Sequence, residues 1–170
     1  MTVTPTQAVP PLDLPLSVGG RFTIAAQRPQ SFTVVVFYRG LHCPICKTYL
    51  QQLAARWQDF TALGCKLVAV SCDDADRAER SRADWQLGDL PVAYGLTEED
   101  ARAWGLYLSR AIKDDEPPLF CEPALFLVRP DGTLYMASVA SMPFARPPVD
   151  EVLSAIRFVT EKDYPPRGDA

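Results

Sequence analysis

The sequence has no stretch approaching the ~18 consecutive apolar residues of a membrane-spanning helix, so no membrane partner is expected. Its opening, MTVTPTQAVPPLDLPLSVGG, has neither the basic n-region nor the long apolar h-region of a secretory signal. It also lacks a basic excess. Seventeen Lys and Arg stand against 21 Asp and Glu, a net charge of −4, and that balance gives no electrostatic footprint for nucleic acid. Internal repeats and low-complexity linkers are absent, and there is one histidine. The expected setting is a reducing cytoplasm, where cysteines are more often free, catalytic or metal-bound than tied in structural disulfides.

What the sequence does have is 16 prolines and five cysteines in 170 residues. Five is odd, so not all can pair within one chain, and their spacings show no secreted disulfide framework. With 48% hydrophobic and 22% charged residues, the chain is neither disordered, collagen-like nor a long coiled coil. Its length suits one domain with an ordinary core. Pro5, Pro10, Pro11 and Pro15 mark residues 1–16 as an arm that cannot be helical. Residues 17–162 form the domain, and 163–170, with Pro165 and Pro166, a tail.

Within the domain, strand and helix patterns alternate. Ser31–Tyr38 (SFTVVVFY) is a continuous apolar, β-branched run, as for a strand buried on both faces. Ile45, Tyr49, Leu50, Leu53, Trp57 and Phe60 then fall at helical spacing. Lys66–Ser71 is a second buried strand, and Asp73 or Asp74 caps a helix running to about Trp85. Thr97 caps a short helix within Leu96–Gly105, whose first turn carries Glu98, Glu99 and Asp100. Ala124–Val128 is a third strand, joined through the Pro130-Asp131-Gly132 turn to Thr133–Val139. Val149, Val152, Leu153, Ile156 and Val159 make the stripe of a last helix. The order β-α-β-α-(α)-β-β-α implies an α/β fold: a central mixed sheet with helices on both faces.

Chemistry concentrates at Cys43-Pro44-Ile45-Cys46, where the first strand hands over to the first helix. Pro44 suits the first helical position, since its missing N–H would have been unpaired there. Cys43 is then the N-cap and Cys46 lies one turn in, both near unsatisfied N–H groups and the positive end of the helix dipole. Such positions favour thiolates, and a spacing of three lets the sulfurs meet, so a dithiol–disulfide exchange follows. A buried pair without chemistry and a metal site are the alternatives. A structural zinc site wants four ligands in two close pairs, yet there is no second C-x-x-C and only His42, Cys65, Cys72 and Cys121 remain. No metal and no organic cofactor are expected.

The segment Phe37-Tyr38-Arg39-Gly40-Leu41-His42-Cys43-Pro44-Ile45-Cys46 resembles the active-site segment of the thioredoxin-fold superfamily, in its peroxiredoxin-like branch, the alkyl hydroperoxide reductase/thiol-specific antioxidant family. Val68-Ala69-Val70-Ser71-Cys72-Asp73, the stretch from Tyr94-Gly95-Leu96 to Trp104-Gly105-Leu106, and Phe126-Leu127-Val128-Arg129-Pro130-Asp131-Gly132 fit later landmarks. The likeness implies a thioredoxin-like fold. Peroxiredoxins carry Pro-x-x-x-Thr-x-x-Cys. Alignment on Phe37-Tyr38 puts Arg39 at that proline, Cys43 at the threonine and Cys46 at the peroxidatic cysteine. The peroxide-holding arginine of the late strand falls at Pro123. The dithiol and a proline heading the neighbouring strand match thioredoxins instead. That likeness implies a cis Glu122–Pro123 bond packed against the disulfide.

The two templates disagree on the attacking sulfur. The thioredoxin template makes Cys43 the nucleophile and Cys46 the resolver; the peroxiredoxin template makes Cys46 a sulfenate-forming thiolate that Cys43 resolves. The missing arginine favours the first. Four residues are accessory candidates: Arg39 as a replacement charge, His42 as a proton-exchange group beside Cys43, Glu122 as a carboxylate able to raise a thiol pKa, and Cys121 as a third redox thiol. Cys65 and Cys72 read as small core hydrophobes, Tyr38 and Trp57 as core, and RAERSR (77–82) as a solvated helix face. The expected function is thiol–disulfide exchange on protein or small-molecule disulfides, with an external thiol as reductant. A thiol peroxidase acting on hydrogen or alkyl hydroperoxides is the alternative, and a non-catalytic redox sensor or binding module the third reading. The proline-rich arm could cross to a partner subunit, so a homodimer is compatible with the sequence.

Overall fold

The apolar run at Ser31–Tyr38 becomes a strand, Thr33–Phe37, buried at every residue, and the rest of the fold is arranged around it. The structure is a computed structural model and describes residues 3–170. In chain order the elements begin with β1 (Asp13–Pro15), β2 (Arg21–Thr23) and β3 (Thr33–Phe37), then α1 (Pro44–Ala55), α2 (Trp57–Ala62) and β4 (Lys66–Val70). Next come α3 (Ala75–Asp84), β5 (Val92–Ala93), α4 (Glu98–Ala103), β6 (Leu108–Arg110) and β7 (Leu119–Cys121). The chain ends with β8 (Ala124–Val128), β9 (Leu134–Val139) and α5 (Val149–Lys162).

The central sheet has the order β5-β4-β3-β8-β9. β3, β4 and β5 run parallel, while β8 is antiparallel to both β3 and β9. Period-two alternation assigns each side chain to a face. Val34, Val36, Leu67, Ala69, Leu125 and Leu127 pack with Leu50 and Leu53 of α1, Phe60 of α2, Ala78 of α3, and Leu153 and Ile156 of α5. Val35, Phe37, Val68, Val70, Phe126 and Val128 pack on the other side with Ala101 of α4, Trp104, Leu14 of β1 and Phe22 of β2. Apolar burial on both faces is why the three central strands read as unbroken hydrophobic runs. The result is a mixed sheet with helices on both faces, a thioredoxin-like fold.

Local chemistry fixes the helix ends. Asp74 caps α3 by accepting from the Arg77 N–H at 2.9 Å, and Thr97 caps α4 through the Asp100 N–H at 3.1 Å. The helical pattern from Ile45 to Phe60 is interrupted at Arg56, whose ψ of 13° separates α1 from α2. The Arg56 guanidinium pairs there with Asp59 and Asp150, tying the break to the start of α5. From Val3 on, the proline-rich arm lies against the domain. The Thr6 N–H bonds the Leu134 carbonyl at 2.8 Å, β1 pairs with β2, and Leu12 and Leu14 enter the second core.

Candidate active site

Between β3 and α1 the chain makes one tight turn, held by a buried carboxylate. Asp73, 1% exposed, accepts from the Leu41 N–H at 2.8 Å and from Arg77 Nε at 2.9 Å. Gly40 allows this contact: its φ is +125°, and a Cβ there would lie 2.6 Å from Asp73 Oδ1. The Cys43 N–H returns to the Gly40 carbonyl at 3.1 Å. The turn therefore delivers Cys43 to the N-cap of α1, with Pro44 at the first helical position. The Cys43 sulfur accepts the Cys46 N–H at 3.2 Å, and the two sulfurs lie 2.7 Å apart as free thiols.

This pair is electrically unequal. Cys43 is lowered to about 7, chiefly by its hydrogen bond with the Cys46 thiol, with the Cys46 N–H, Arg39 and Arg146 adding to the effect against the cost of burial. Cys46 moves strongly upward because its proton is the one the Cys43 thiolate holds, and because its sulfur is fully buried. Near neutral pH about half of the molecules therefore carry one thiolate and one thiol at this pair.

Arg146, in the loop between β9 and α5, closes over the dithiol. Its Nη1 lies 3.8 Å from Cys46 Sγ, its Nη2 donates to the Ile45 carbonyl at 3.0 Å, and its guanidinium sits 4.2 Å over the Tyr49 ring. The Tyr49 hydroxyl donates to the Pro147 carbonyl at 2.8 Å, fixing the same loop to α1. Sequence reasoning missed this residue. Its local context, Ala145-Arg146-Pro147-Pro148, has no periodicity, and nothing in it signals a contact one hundred residues back.

The other expected site residues form a second layer. The Arg39 guanidinium lies 4.7 Å over the Phe120 ring and 3.6 Å from both Glu116 and Glu122. Glu122 is buried, and its Oε1 accepts from the Ser109 hydroxyl at 2.5 Å. It therefore faces inward toward Arg39 rather than outward to solvent. The His42 ring packs edgewise on Phe120, with centroids 4.7 Å apart. Burial, then the nearby Arg39 charge, lowers its pKa, so the imidazole is neutral at pH 7. Cys121 is fully buried and donates to the Tyr38 carbonyl at 3.4 Å.

Pro123 heads β8 and is buried, but the expectation of a cis Glu122–Pro123 bond is corrected: the described residues contain no cis peptide. The Glu122 N–H bonds the Tyr107 carbonyl at 2.8 Å, and the Pro123 carbonyl takes the Ala140 N–H at 2.9 Å. An extended trans link meets both partners as β7 passes into β8. Among the described residues, no group of three or more His, Cys, Asp or Glu side chains could hold a metal ion, and no helix is long and apolar enough to cross a membrane.

Comparison with known proteins agrees with this architecture. The AhpC/TSA family matches residues 5–137. Peroxidoxin BcpB from Mycobacterium tuberculosis superposes with a TM-score of 0.75 at 16% identity, covering 92% of this chain and 98% of that one. A peroxiredoxin 6 of Arenicola marina gives 0.79 at 19% identity over 95% and 75% of the two chains. The mitochondrial 2-Cys peroxiredoxin from Plasmodium falciparum gives 0.72 at 16% identity over 93% and 95%. A search of curated proteins finds no match. These structural likenesses speak to the fold, and the family match extends from the β1 region through most of β9: the chain belongs to the AhpC/TSA family and is a thiol-dependent oxidoreductase.

Proposed function

We propose that Cys43 and Cys46 are the redox dithiol, with Cys43 attacking first and Cys46 resolving. The observation that carries this reading is the 2.7 Å sulfur pair in which Cys43 is lowered to about 7 while Cys46 is pushed up. The Cys43 thiolate attacks one sulfur of a protein or small-molecule disulfide, and the partner sulfur leaves as a thiolate. Cys46 then loses its proton to water and attacks Cys43. The second substrate thiol departs and the Cys43–Cys46 disulfide remains. An external thiol returns the two electrons. Arg39, whose charge favours the Cys43 thiolate, borders this chemistry, and neutral His42 is a proton acceptor on the same turn.

One observation favours a second reading, a thiol peroxidase acting on hydrogen or alkyl hydroperoxides. Arg146 contacts the sulfur of Cys46, the position that the peroxiredoxin alignment makes peroxidatic. An arginine on that sulfur supplies the charge missing at Pro123.

The two readings separate in single-cysteine variants. Reduced wild type, Cys43→Ser and Cys46→Ser are compared in insulin-disulfide reduction and in peroxide-driven sulfenic acid trapping. The first reading expects Cys46→Ser to accumulate a mixed disulfide on Cys43, and Cys43→Ser to lose insulin reduction. Rapid sulfenic acid formation in Cys43→Ser but not in Cys46→Ser transfers the first step to Cys46. If neither variant changes any rate, both enzymatic readings fail.

A further inference from the structure

Cys46 is fully buried, and in the resting pair its thiol donates to Cys43 at 2.7 Å. Once Cys43 is bound to a substrate sulfur, that acceptor is gone and Cys46 must ionise without it. Burial opposes this, because a thiolate is costly away from water. Facing the Cys46 sulfur are Cys43, the Arg39 N–H, the neutral side chains of Tyr38 and Cys121, and the Arg146 guanidinium. The Arg39 guanidinium is shared between Glu116 and Glu122 at 3.6 Å each. Arg146 enters no ion pair among the described residues, so its charge is uncompensated.

The same helix that carries Cys46 holds Arg146 over it. Nη1 lies 3.8 Å from Cys46 Sγ and Nη2 donates to the Ile45 carbonyl at 3.0 Å. Tyr49 lies three residues beyond Cys46 in α1, a spacing that puts both on one side of the helix. Its ring carries the guanidinium at 4.2 Å, and its hydroxyl donates to the Pro147 carbonyl at 2.8 Å. One side chain thus grips both Arg146 and the residue after it. On the other flank Ala145 has a φ of +54°. A left-handed conformation at a residue other than glycine persists where surrounding contacts over-determine it.

We propose that Arg146 is a catalytic residue of the resolving step, stabilising charge on the Cys46 sulfur as it attacks the mixed disulfide, and that Tyr49 is the positioning residue that keeps it there. This deepens the proposed order of attack and rests on it. In the resolving step Cys46 gives its proton to water and its thiolate bonds the Cys43 sulfur. The bond between Cys43 and the substrate sulfur breaks, and the substrate thiolate leaves with the electron pair and takes a proton from water. The two protein thiols are thereby oxidised by two electrons and the substrate disulfide is reduced. Arginine suits both contacts. Its planar guanidinium stacks on an aromatic ring while its edge donates to a sulfur and a carbonyl, which a lysine ammonium cannot do together.

The test mixes the reduced full chain with the aromatic disulfide of thionitrobenzoate. The first coloured thiolate released reports attack and the second reports resolution, while acid-quenched peptides show by mass spectrometry which cysteine carries the adduct. Loss of a charged contact moves a thiol by about one to two pKa units, part of which returns as nucleophilicity. Arg146→Ala should therefore slow resolution about three- to fifteenfold and attack by less than about twofold. Tyr49→Phe, which keeps the ring and frees Pro147, should slow resolution less than Tyr49→Leu, which removes both contacts. Neither Tyr49 change should slow it further in Arg146→Ala, since Tyr49 acts through Arg146. Equal slowing of both steps in Arg146→Ala, or resolution at the wild-type rate, overturns the role of Arg146. If Tyr49→Leu and Tyr49→Phe slow resolution as much without Arg146 as with it, the role of Tyr49 is overturned. An adduct on Cys46 instead of Cys43 in the wild type overturns the order of attack and this inference with it. An adduct on Cys43 whose lifetime is unchanged in Arg146→Ala overturns the inference alone.

Discussion

Replacing Cys46 with Ala should change how Cys43 responds to pH, in a way that loss of a resolving thiol alone would not. In the native pair Cys43 is lowered from 9.0 to about 7, mainly through its hydrogen bond with the Cys46 thiol. A hydrogen bond to a charged group contributes about 1.5–3 kcal/mol. At about 1.36 kcal/mol per pKa unit, its loss should raise the ionisation midpoint by about one to two pH units. Ala is a good helix former, so α1 survives the change. At pH 7 the thiolate fraction would fall from about one half to about a tenth or a hundredth. Intrinsic nucleophilicity rises with pKa, with a slope of about 0.4–0.5, and offsets part of this loss. The rate of attack on a small organic disulfide at pH 7 should therefore drop about two- to fivefold, whereas the high-pH plateau should rise about three- to tenfold. The two pH–rate profiles must cross. The assay is stopped-flow reaction with an aromatic disulfide, followed on the peptide that carries Cys43. A midpoint that stays near 7 in Cys46→Ala would refute the reasoning, because the helix terminus and arginines alone would then be holding the thiolate. Profiles that run parallel without crossing would refute it as well.

Arg146→Ala should raise the Cys43 midpoint by less than Cys46→Ala does and slow the same reaction at pH 7 by less than about twofold, since its guanidinium charge is the smaller influence on the thiolate. Arg146→Lys should restore the charge effect better than the loop's packing on Tyr49, which near-ultraviolet circular dichroism can follow. Gly40→Ala should destabilise the fold by about 1–3 kcal/mol, the cost of a strained φ, measured as a lowered urea midpoint; an unchanged midpoint would show that the Asp73 clasp is not needed. Thr97→Ala should cost about 1 kcal/mol as a lost N-cap, with no effect on thiol reactivity.

The parts of the fold that could be read from the sequence are those fixed by their own residues. Val34–Val36, Leu67–Val70 and Ala124–Val128 are apolar at every position because both faces of the strand are covered, and Asp74 and Thr97 announce helices by hydrogen-bonding them. β5, β6 and β7 have two or three residues each and exist only because a neighbouring strand offers its edge, so no local pattern marks them. The break at Arg56 is of the same kind, since its second partner, Asp150, comes from α5. At the site, Cys43 and Cys46 were legible because one helix turn brings them together. Arg146 was not, because a loop from the far end of the chain brings it. The cis expectation at Pro123 came from the thioredoxin likeness, whereas the β6–β7 ribbon decides the path of the chain there.

Because Cys43 is the cap of α1 as well as half of the proposed redox dithiol, the redox state would also be a variable of folding. A lowered thiol adds stability that is fully present above the pKa of the unfolded chain, near 9.0, and is lost as pH falls through about 7. Oxidation removes the charge from this cap at any pH. A thiolate at this cap therefore stabilises the reduced folded form alone, against the constraint that a Cys43–Cys46 cross-link places on the unfolded chain. Conversely, every substitution that tightens the start of α1 around a thiolate makes the oxidised form a stronger oxidant. The melting temperature and the reduction potential of this chain are two readings of one cycle, and neither can be tuned at Cys43 without moving the other.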